Sequence, residues 1–189
     1  MQTILNVIIP QDRIGALVGE EGKIKQRIED AFTAKLSIDS DSGIVELTFA
    51  SEEGDAASLL KARDVVNAIG RGFSPDRAFV LKDDDVILDI IDLREIFGRN
   101  DEAISRIKGR VIGRRGKIRK LIEELTKTDV SIYGYTISLI GDYDSISTAR
   151  EATLMILEGK QHSTVYKFLR QRRREEKIKK ITELWEPTK

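Results

Sequence analysis

The stretch Val111-Ile112-Gly113-Arg114-Arg115-Gly116-Lys117-Ile118 decides how this chain is read, because the chain contains a second copy of it. The other copy, Leu17-Val18-Gly19-Glu20-Glu21-Gly22-Lys23-Ile24, keeps both glycines, the lysine and the apolar frame. Shorter matches follow both copies, such as Leu36-Ser37-Ile38 against Val130-Ser131-Ile132. Two copies of about 70–80 residues, unlike a short-period array, predict two related domains.

The same order of apolar patterns surrounds each copy. In the first, strands are predicted at residues 6–10, 35–39 and 45–49, because apolar runs or alternating residues end at proline and glycine turns. Apolar residues at helical spacing follow the Gly-x-x-Gly motif and close the repeat. Each copy is therefore predicted to run strand, helix, Gly-x-x-Gly, helix, strand, turn, strand, helix.

Two features distinguish the second copy. Extra chain separates its first strand, predicted at residues 86–91, from its Gly-x-x-Gly, and residues 93–98 are predicted to add a helical turn there. Residues 164–185 then predict one long, strongly basic helix. A cluster of Gly, Ser, Pro and Asp at residues 72–85 indicates the domain boundary. We expect domains at residues 1–78 and 79–189.

Composition excludes several classes of protein. The chain has 189 residues, of which 40% are hydrophobic and 34% charged, and this balance is typical of a globular protein with a packed core. No apolar run approaches the roughly 18 residues of a membrane span, and no secretory signal is predicted. The absence of Cys excludes disulfides and thiolate chemistry, and the single His162 cannot form a multi-histidine metal site. We expect a cytoplasmic protein that needs no cofactor or metal.

The charge of the chain is segregated although its net value is zero. Residues 106–133 carry nine basic and three acidic residues, and residues 166–189 carry nine basic and four acidic ones. Residues 1–80 are acidic, with nine basic and thirteen acidic residues. Two local basic segments in a neutral protein indicate a polyanionic partner.

The Gly-x-x-Gly motif has a physical use in such binding. Glycine permits positive φ angles and a close approach of backbone that a Cβ would block. The helix that follows presents unpaired N–H groups and the positive end of its dipole. A phosphate group is favoured at that position.

This frame resembles the KH domain, and the predicted element order resembles its eukaryotic-type (type I) topology. The resemblance implies an α+β fold: two tandem type I KH domains, each a βααββα unit with a three-stranded sheet packed on three helices, plus a basic C-terminal helix. KH domains clamp about four unpaired nucleotides on the Gly-x-x-Gly loop and a neighbouring groove. In the second copy it implies that RNA is bound by Arg110, Ile112, Gly113, Arg114, Arg115, Gly116, Lys117, Arg119, Lys120 and Ile132. For the apolar members of this set, core packing is the alternative.

The first copy departs from the pattern at the loop tip. Two carboxylates there repel a phosphate, and Lys23 offsets them only in part. We expect a degenerate RNA-binding loop formed by Gly19, Glu20, Glu21, Gly22 and Lys23. The glycines and the apolar frame still favour the KH fold.

Over residues 3–185 the chain resembles the archaeal form of the pre-ribosomal KH processing factor family called Partner of Nob One, or Dim-two. The most specific stretch is IGRRGKIRKLIE, residues 112–123. The resemblance implies binding of single-stranded RNA near the 3′ end of small-subunit ribosomal RNA, during rRNA processing and ribosome biogenesis. It also implies contact with the Nob-type endonuclease and other pre-ribosome components. The Krr-type ribosome-assembly factors are a rival family.

Two other functions are weighed against a non-catalytic RNA-binding protein. A metal-dependent nuclease would draw on Asp83, Asp84, Asp85, Asp89 and Asp92, but acidic residues are common in linkers. A protein-interaction scaffold without RNA binding is disfavoured by the basic second loop. The basic residues of the C-terminal segment fit two interpretations, an extension of the RNA track or a solvated helix face.

Overall fold

The computed structural model describes residues 4–50 and 55–185, and each sequence repeat forms one three-stranded antiparallel sheet with helices on one face. The first repeat contains β1 (Ile4–Ile8), α1 (Gln11–Val18), α2 (Lys23–Phe32), β2 (Ala34–Ile38), β3 (Ile44–Phe49) and α3 (Ala56–Gly70). A 3-10 turn, Glu20–Gly22, lies between α1 and α2. The sheet order is β1-β3-β2, as a βααββα unit requires.

Alternation along the strands explains the first core. In β2 and β3, Leu36 and Leu47 form a register pair that is buried beneath the helices, whereas Ser37 and Glu46 form an exposed pair. The first strand lies at residues 4–8 rather than at the predicted residues 6–10. Pro10 lies outside the strand because it directly precedes α1 and caps it with an extended backbone.

The second repeat follows the same plan with one addition. It contains β4 (Val86–Asp92), α5 (Leu93–Phe97), α6 (Asp101–Ile112), α7 (Lys117–Thr126), β5 (Asp129–Tyr133), β6 (Thr136–Asp142) and α8 (Tyr143–Leu157), with a 3-10 turn at Arg114–Gly116. Its sheet order is β4-β6-β5. The short helix α5 confirms the helical turn predicted in the extra chain. The α+β fold with two type I KH units is therefore confirmed.

The second sheet is buried on both faces. Residues 136–140 of β6 are all buried, although polar Thr136 and Ser138 alternate there with Ile137 and Leu139. One face packs on the helices of its own repeat. The other face packs on the first repeat, because Ile140 belongs to the core of that repeat. The two repeats therefore form one packed body.

Polar contacts fix this packing. The Ser131 hydroxyl donates to the carbonyl oxygen of Arg71 at 2.8 Å. The Arg77 guanidinium lies 3.2 Å from the Glu123 carboxylate and 3.5 Å from that of Asp129. Burial raises the pKa of Asp129, with Arg77 acting against this shift and Glu123 adding to it. The contacts join the end of α3 and its linker to β5 and α7.

The linker between the repeats is itself folded. It forms α4 (Pro75–Ala78) and a 3-10 turn, Phe79–Lys82. Leu81 in that turn is buried in the first core. The predicted boundary between residues 78 and 79 lies inside this linker and stays a prediction.

The basic C-terminal segment forms α9 (His162–Trp185), which begins two residues before the predicted helix. Val165 and Leu169 are buried in the core of the second repeat. The helix contacts both α7 and α8, and from Arg170 to Thr182 its side chains are exposed except for the half-buried Glu176. The first turns of α9 are thus part of the second unit.

Candidate nucleic-acid interface

The Gly113–Gly116 loop joins α6 to α7 through backbone conformations that favour glycine. Gly113 has φ 71° and ψ 172°, and Gly116 has φ 73° and ψ 15°. Arg115 between them is also left-handed, with φ 54°. The loop is closed by a hydrogen bond from the Gly116 N–H to the Gly113 carbonyl oxygen at 3.1 Å.

Gly113 is required by packing as well as by its φ angle. A Cβ on this residue would lie 2.4 Å from Cγ1 of Ile118 and 3.0 Å from its backbone nitrogen. Ile118 packs against the core, so it has little freedom to move away. The first glycine therefore sets how closely the end of α6 approaches the first turn of α7. That approach leaves the N-terminus of α7 beside the loop, where its dipole favours an anion.

The two loops have nearly the same backbone but opposite charge. At Gly19, Glu21 and Gly22 the φ and ψ angles match those at the equivalent positions of the second loop within about 6°. A Cβ on Gly19 would also meet Ile24 at 2.4 Å. In the first loop, Glu21 lies 3.4 Å from Lys23, so this lysine is already paired with a carboxylate. The loops thus differ in side-chain charge rather than in shape.

Cations of the second loop surround an open groove. The groove has a volume of about 630 Å³ and is lined by Arg114, Arg115, Lys117, Lys120, Leu121 and Glu124. The side chains of all four cations are exposed. Within residues 4–50 and 55–185, none of these four makes an ion pair with a carboxylate. A site of this kind favours a phosphate-bearing ligand.

The other predicted binding residues lie apart from this groove. Arg119 turns toward Glu123, with Nε 3.8 Å from the carboxylate, and its side chain is about one-third exposed. Arg110 donates from its guanidinium to the Lys160 carbonyl oxygen at 2.7 Å. Ile112 is 36% exposed, and Ile132 is half-buried against the core. RNA contact by these four residues stays a prediction.

The sequence analysis does not predict two of the residues that line the groove. Leu121 and Glu124 join Lys117 and Lys120 on one face of α7, because residues three and four apart lie above one another on a helix. This spacing is the sequence signal that could have predicted both residues. It places one carboxylate, that of Glu124, among the four cations.

Three of the five acidic residues considered for a nuclease have other partners. Asp89 accepts hydrogen bonds from Arg150 at 2.6 and 2.7 Å, Asp84 pairs with Lys61, and Asp92 caps α5 by accepting from the Arg94 N–H at 2.8 Å. In the part of the chain that the structure describes, His, Asp and Glu side chains form no cluster of three or more suited to a metal ion. Over the same residues, no helix has the length and apolarity of a transmembrane span.

Comparison with protein families assigns both repeats. Residues 87–174 match a family model described as a eukaryotic type KH-domain (KH-domain type I), specifically the second KH domain of PNO1. Residues 4–68 match the general KH domain model. The two matched ranges correspond to the two sheets and their helices.

Two named relatives are similar over most of the chain. A KH domain-containing protein of Methanocaldococcus jannaschii is 43% identical over 178 residues, which span 94% of this chain and 77% of the relative. The RNA-binding protein pno1 of Dictyostelium discoideum is 29% identical over 170 residues, spanning 89% of this chain and 71% of the relative.

Solved structures show the same fold. A protein of unknown function from Aeropyrum pernix superposes with a TM-score of 0.92 at 35% identity, over 98% of each chain. Dim2p from Pyrococcus horikoshii gives a TM-score of 0.83 at 41% identity, over 89% of this chain and 99% of that one. A chain of the a/eIF2alpha-aDim2p-rRNA complex from the same organism gives 0.86 at 40%, over 93% and 96%. The chain therefore belongs to the Dim2/PNO1 family of KH-domain proteins.

Proposed function

We propose that this protein is a non-catalytic single-stranded RNA-binding factor that acts in small-subunit ribosomal RNA processing and ribosome assembly. The RNA is held mainly by the second KH domain. The observation that carries the proposal is the contrast between two loops of the same backbone shape, one bearing Arg114 and Arg115 and the other Glu20 and Glu21. Only the cationic loop attracts a phosphate backbone.

The physical basis is electrostatic. Among the described residues, no carboxylate forms an ion pair with the four exposed cations at the second loop. A phosphate that binds there therefore displaces only water and mobile ions. Each phosphate neutralised on a single strand releases counterions, which favours binding at low salt. The positive end of the α7 dipole adds to this attraction.

Names of relatives support the cellular role. Several are called pre-rRNA-processing protein PNO1, including that of Coccidioides immitis, and the Pyrococcus horikoshii relative is named in a complex with rRNA. We further propose, from the family resemblance of the sequence, that the RNA partner is the 3′ region of small-subunit rRNA and that the protein partners are a Nob-type endonuclease and other pre-ribosome components. The protein would work in the cytoplasm, as two domains at residues 1–78 and 79–189.

The absence of catalysis is part of the proposal. Of the five aspartates considered for a nuclease, Asp89 and Asp84 pair with cations and Asp92 caps a helix. These contacts give the three side chains structural roles. Incubation of the protein with Mg²⁺ and labelled precursor rRNA should leave the RNA intact, and specific cleavage would contradict this point.

The RNA-binding claim is tested with Arg114→Asp combined with Arg115→Asp. Binding of a fluorescent single-stranded RNA is measured by anisotropy at several salt concentrations. The slope of log affinity against log salt should fall in magnitude by about 1.4, because each lost phosphate contact is worth about 0.7. The control, Lys35→Asp with Arg99→Asp, introduces the same charge change at exposed residues away from the loop. Equal losses in both variants would mean that net charge, rather than the loop, attracts RNA.

A further inference from the structure

A second groove continues the first along α7. It has a volume of about 470 Å³, lies between α7 and α9, and is lined by Leu121, Glu124, Leu125, Tyr166, Arg170, Arg173, Arg174 and Lys177. Leu121 and Glu124 line both grooves, so the two openings meet at these residues. Neither groove is lined by Ile112 or Ile132, so this path differs from the apolar groove that the KH resemblance implies.

The residues from α9 occupy one helical face. Residues 166, 170, 173, 174 and 177 are spaced three and four apart, and this spacing places side chains on the same side of a helix. The Arg170 guanidinium stacks over the Tyr166 ring at 4.4 Å from its centre. The four cations of this face are exposed. In the described residues they form no ion pair with a carboxylate.

The opposite side of α9 is compensated in charge. Arg172 lies 3.4 Å from Glu151 of α8 and 3.5 Å from Glu175. At the boundary between the two sides, Lys180 lies 2.7 Å from Glu176. On the groove side, four neighbouring cations repel one another and have no carboxylate partner among the described residues. The asymmetry indicates an anionic ligand on the groove side.

The groove is held in a fixed position relative to the loop. Val165 and Leu169 of α9 are 2% and 1% exposed in the core. The ring of His162 lies with Nε2 3.1 Å from the Arg110 carbonyl oxygen, one helical turn before the loop. The cations of α9 are therefore presented on a surface that packing has already ordered, which lowers the entropic cost of binding.

We propose that the groove between α7 and α9 binds the sugar–phosphate backbone of the same single-stranded RNA where it continues beyond the Gly113–Gly116 loop. This inference rests on the proposed function, because the loop supplies one end of the path. Across both grooves eight cations face a single carboxylate, that of Glu124. The α7 helix of ten residues is about 15 Å long, which leaves room for more than one phosphate beside it. Leu121, Leu125 and Tyr166 provide apolar surface for ribose or base.

The test compares a short and a long RNA. A four-nucleotide RNA fills one KH loop, whereas a twelve-nucleotide RNA can also enter the second groove. Full-length protein is titrated with each, and the wild type should bind the longer RNA with a steeper salt slope. Arg173→Gln, Arg174→Gln and Lys177→Gln together should remove about 2 from the slope for the longer RNA and nothing for the shorter. The control is Arg172→Gln with Lys179→Gln, which removes two charges from the other side of α9.

Further variants distinguish RNA binding by the loop from RNA binding by the groove between α7 and α9. Arg114→Asp with Arg115→Asp should weaken both RNAs, so loss of the loop and loss of the groove give different patterns. Glu124→Gln, an exposed substitution, should raise affinity more for the longer RNA than for the shorter. Thermal unfolding confirms that each variant is folded. If the groove variant and its control changed the salt slope for the longer RNA equally, the inference would be overturned. It would also be overturned if a polyglutamate of equal charge competed for the protein as well as unlabelled RNA does.

Discussion

The Arg110 guanidinium donates a 2.7 Å hydrogen bond to the carbonyl oxygen of Lys160, and thereby ties the helix before the Gly113–Gly116 loop to the turn before α9. The contact spans 50 residues of sequence. His162 adds a second contact in the same place, through the Arg110 carbonyl oxygen. One residue thus couples the position of the loop to the position of the C-terminal helix.

Arg110→Ala should loosen α9 rather than abolish loop binding. We expect a loss of about 1–2 kcal/mol in the free energy of unfolding, because a hydrogen bond from a charged donor is removed. Chemical denaturation measures this loss. RNA titration should show a larger effect on a twelve-nucleotide RNA than on a four-nucleotide one. An equal effect on both RNAs would place Arg110 in direct contact with the loop-bound nucleotides instead.

Glu20→Arg with Glu21→Arg should turn the first loop into an RNA-binding loop. The backbone already has the required shape, so the substitution changes charge without changing conformation. We expect tighter binding of long single-stranded RNA and a salt slope that is steeper by about 1.4. Glu20→Gln with Glu21→Gln, which only removes the repulsion, should give a smaller gain. Unchanged binding in both variants would show that the first loop is inaccessible to RNA.

Gly113→Ala should damage the fold more than Gly116→Ala. The added Cβ at residue 113 meets Ile118 at 2.4 Å, whereas at residue 116 it has no neighbour within 4 Å. Both positions have positive φ, so both substitutions are strained. We expect losses of about 2–4 kcal/mol at Gly113 and about 1 kcal/mol at Gly116. Thermal or urea unfolding compares them, and equal losses would contradict the packing argument.

Gly72→Ala should separate the two repeats. Its Cβ would lie 2.7 Å from Cβ of Tyr133 and 2.8 Å from the Ser131 hydroxyl oxygen, at a φ of 95°. We expect a loss of about 2–4 kcal/mol and faster amide exchange along β5 and β6. Gly134→Ala is the matched control, since it is also strained, with φ 52°, but has no neighbour within 4 Å. Unaltered amide exchange in Gly72→Ala would mean that the interface between the two repeats accommodates the added methyl group without destabilisation.

Sequence patterns were sufficient to predict the elements of the two repeats and the position of the loop, but not the helix α4 in the linker. Gly19 and Gly113 recur in matching apolar frames, and hydrophobic periodicity predicted the strands and helices with shifts of about two residues. The contact between the repeats could not be predicted. Ser138 alternates with Ile137 and Leu139, a pattern typical of a solvent-facing side chain, yet it is fully buried because the first repeat covers that face. Alternation of polar and apolar residues shows that one face of a sheet is buried. It does not show whether a second domain covers the other face.

The roles of individual cations could not be predicted from the sequence either. Lys120 and Arg119 are neighbours in a basic run, but one lines the groove and the other turns toward Glu123. The basic residues of α9 divide in the same way between a groove and a set of ion pairs. Helical spacing groups such residues into faces, whereas only packing decides which face meets another element.

The most direct test of the account is an NMR titration of the labelled full-length protein with a single-stranded RNA from the 3′ region of small-subunit rRNA. The amide resonances of Gly113, Arg114, Arg115 and Gly116 should shift progressively with RNA, and those of Gly19, Glu20, Glu21 and Gly22 should stay in place. Motionless resonances at the second loop, or shifts confined to the first, would contradict the claim that cations on this loop hold the RNA.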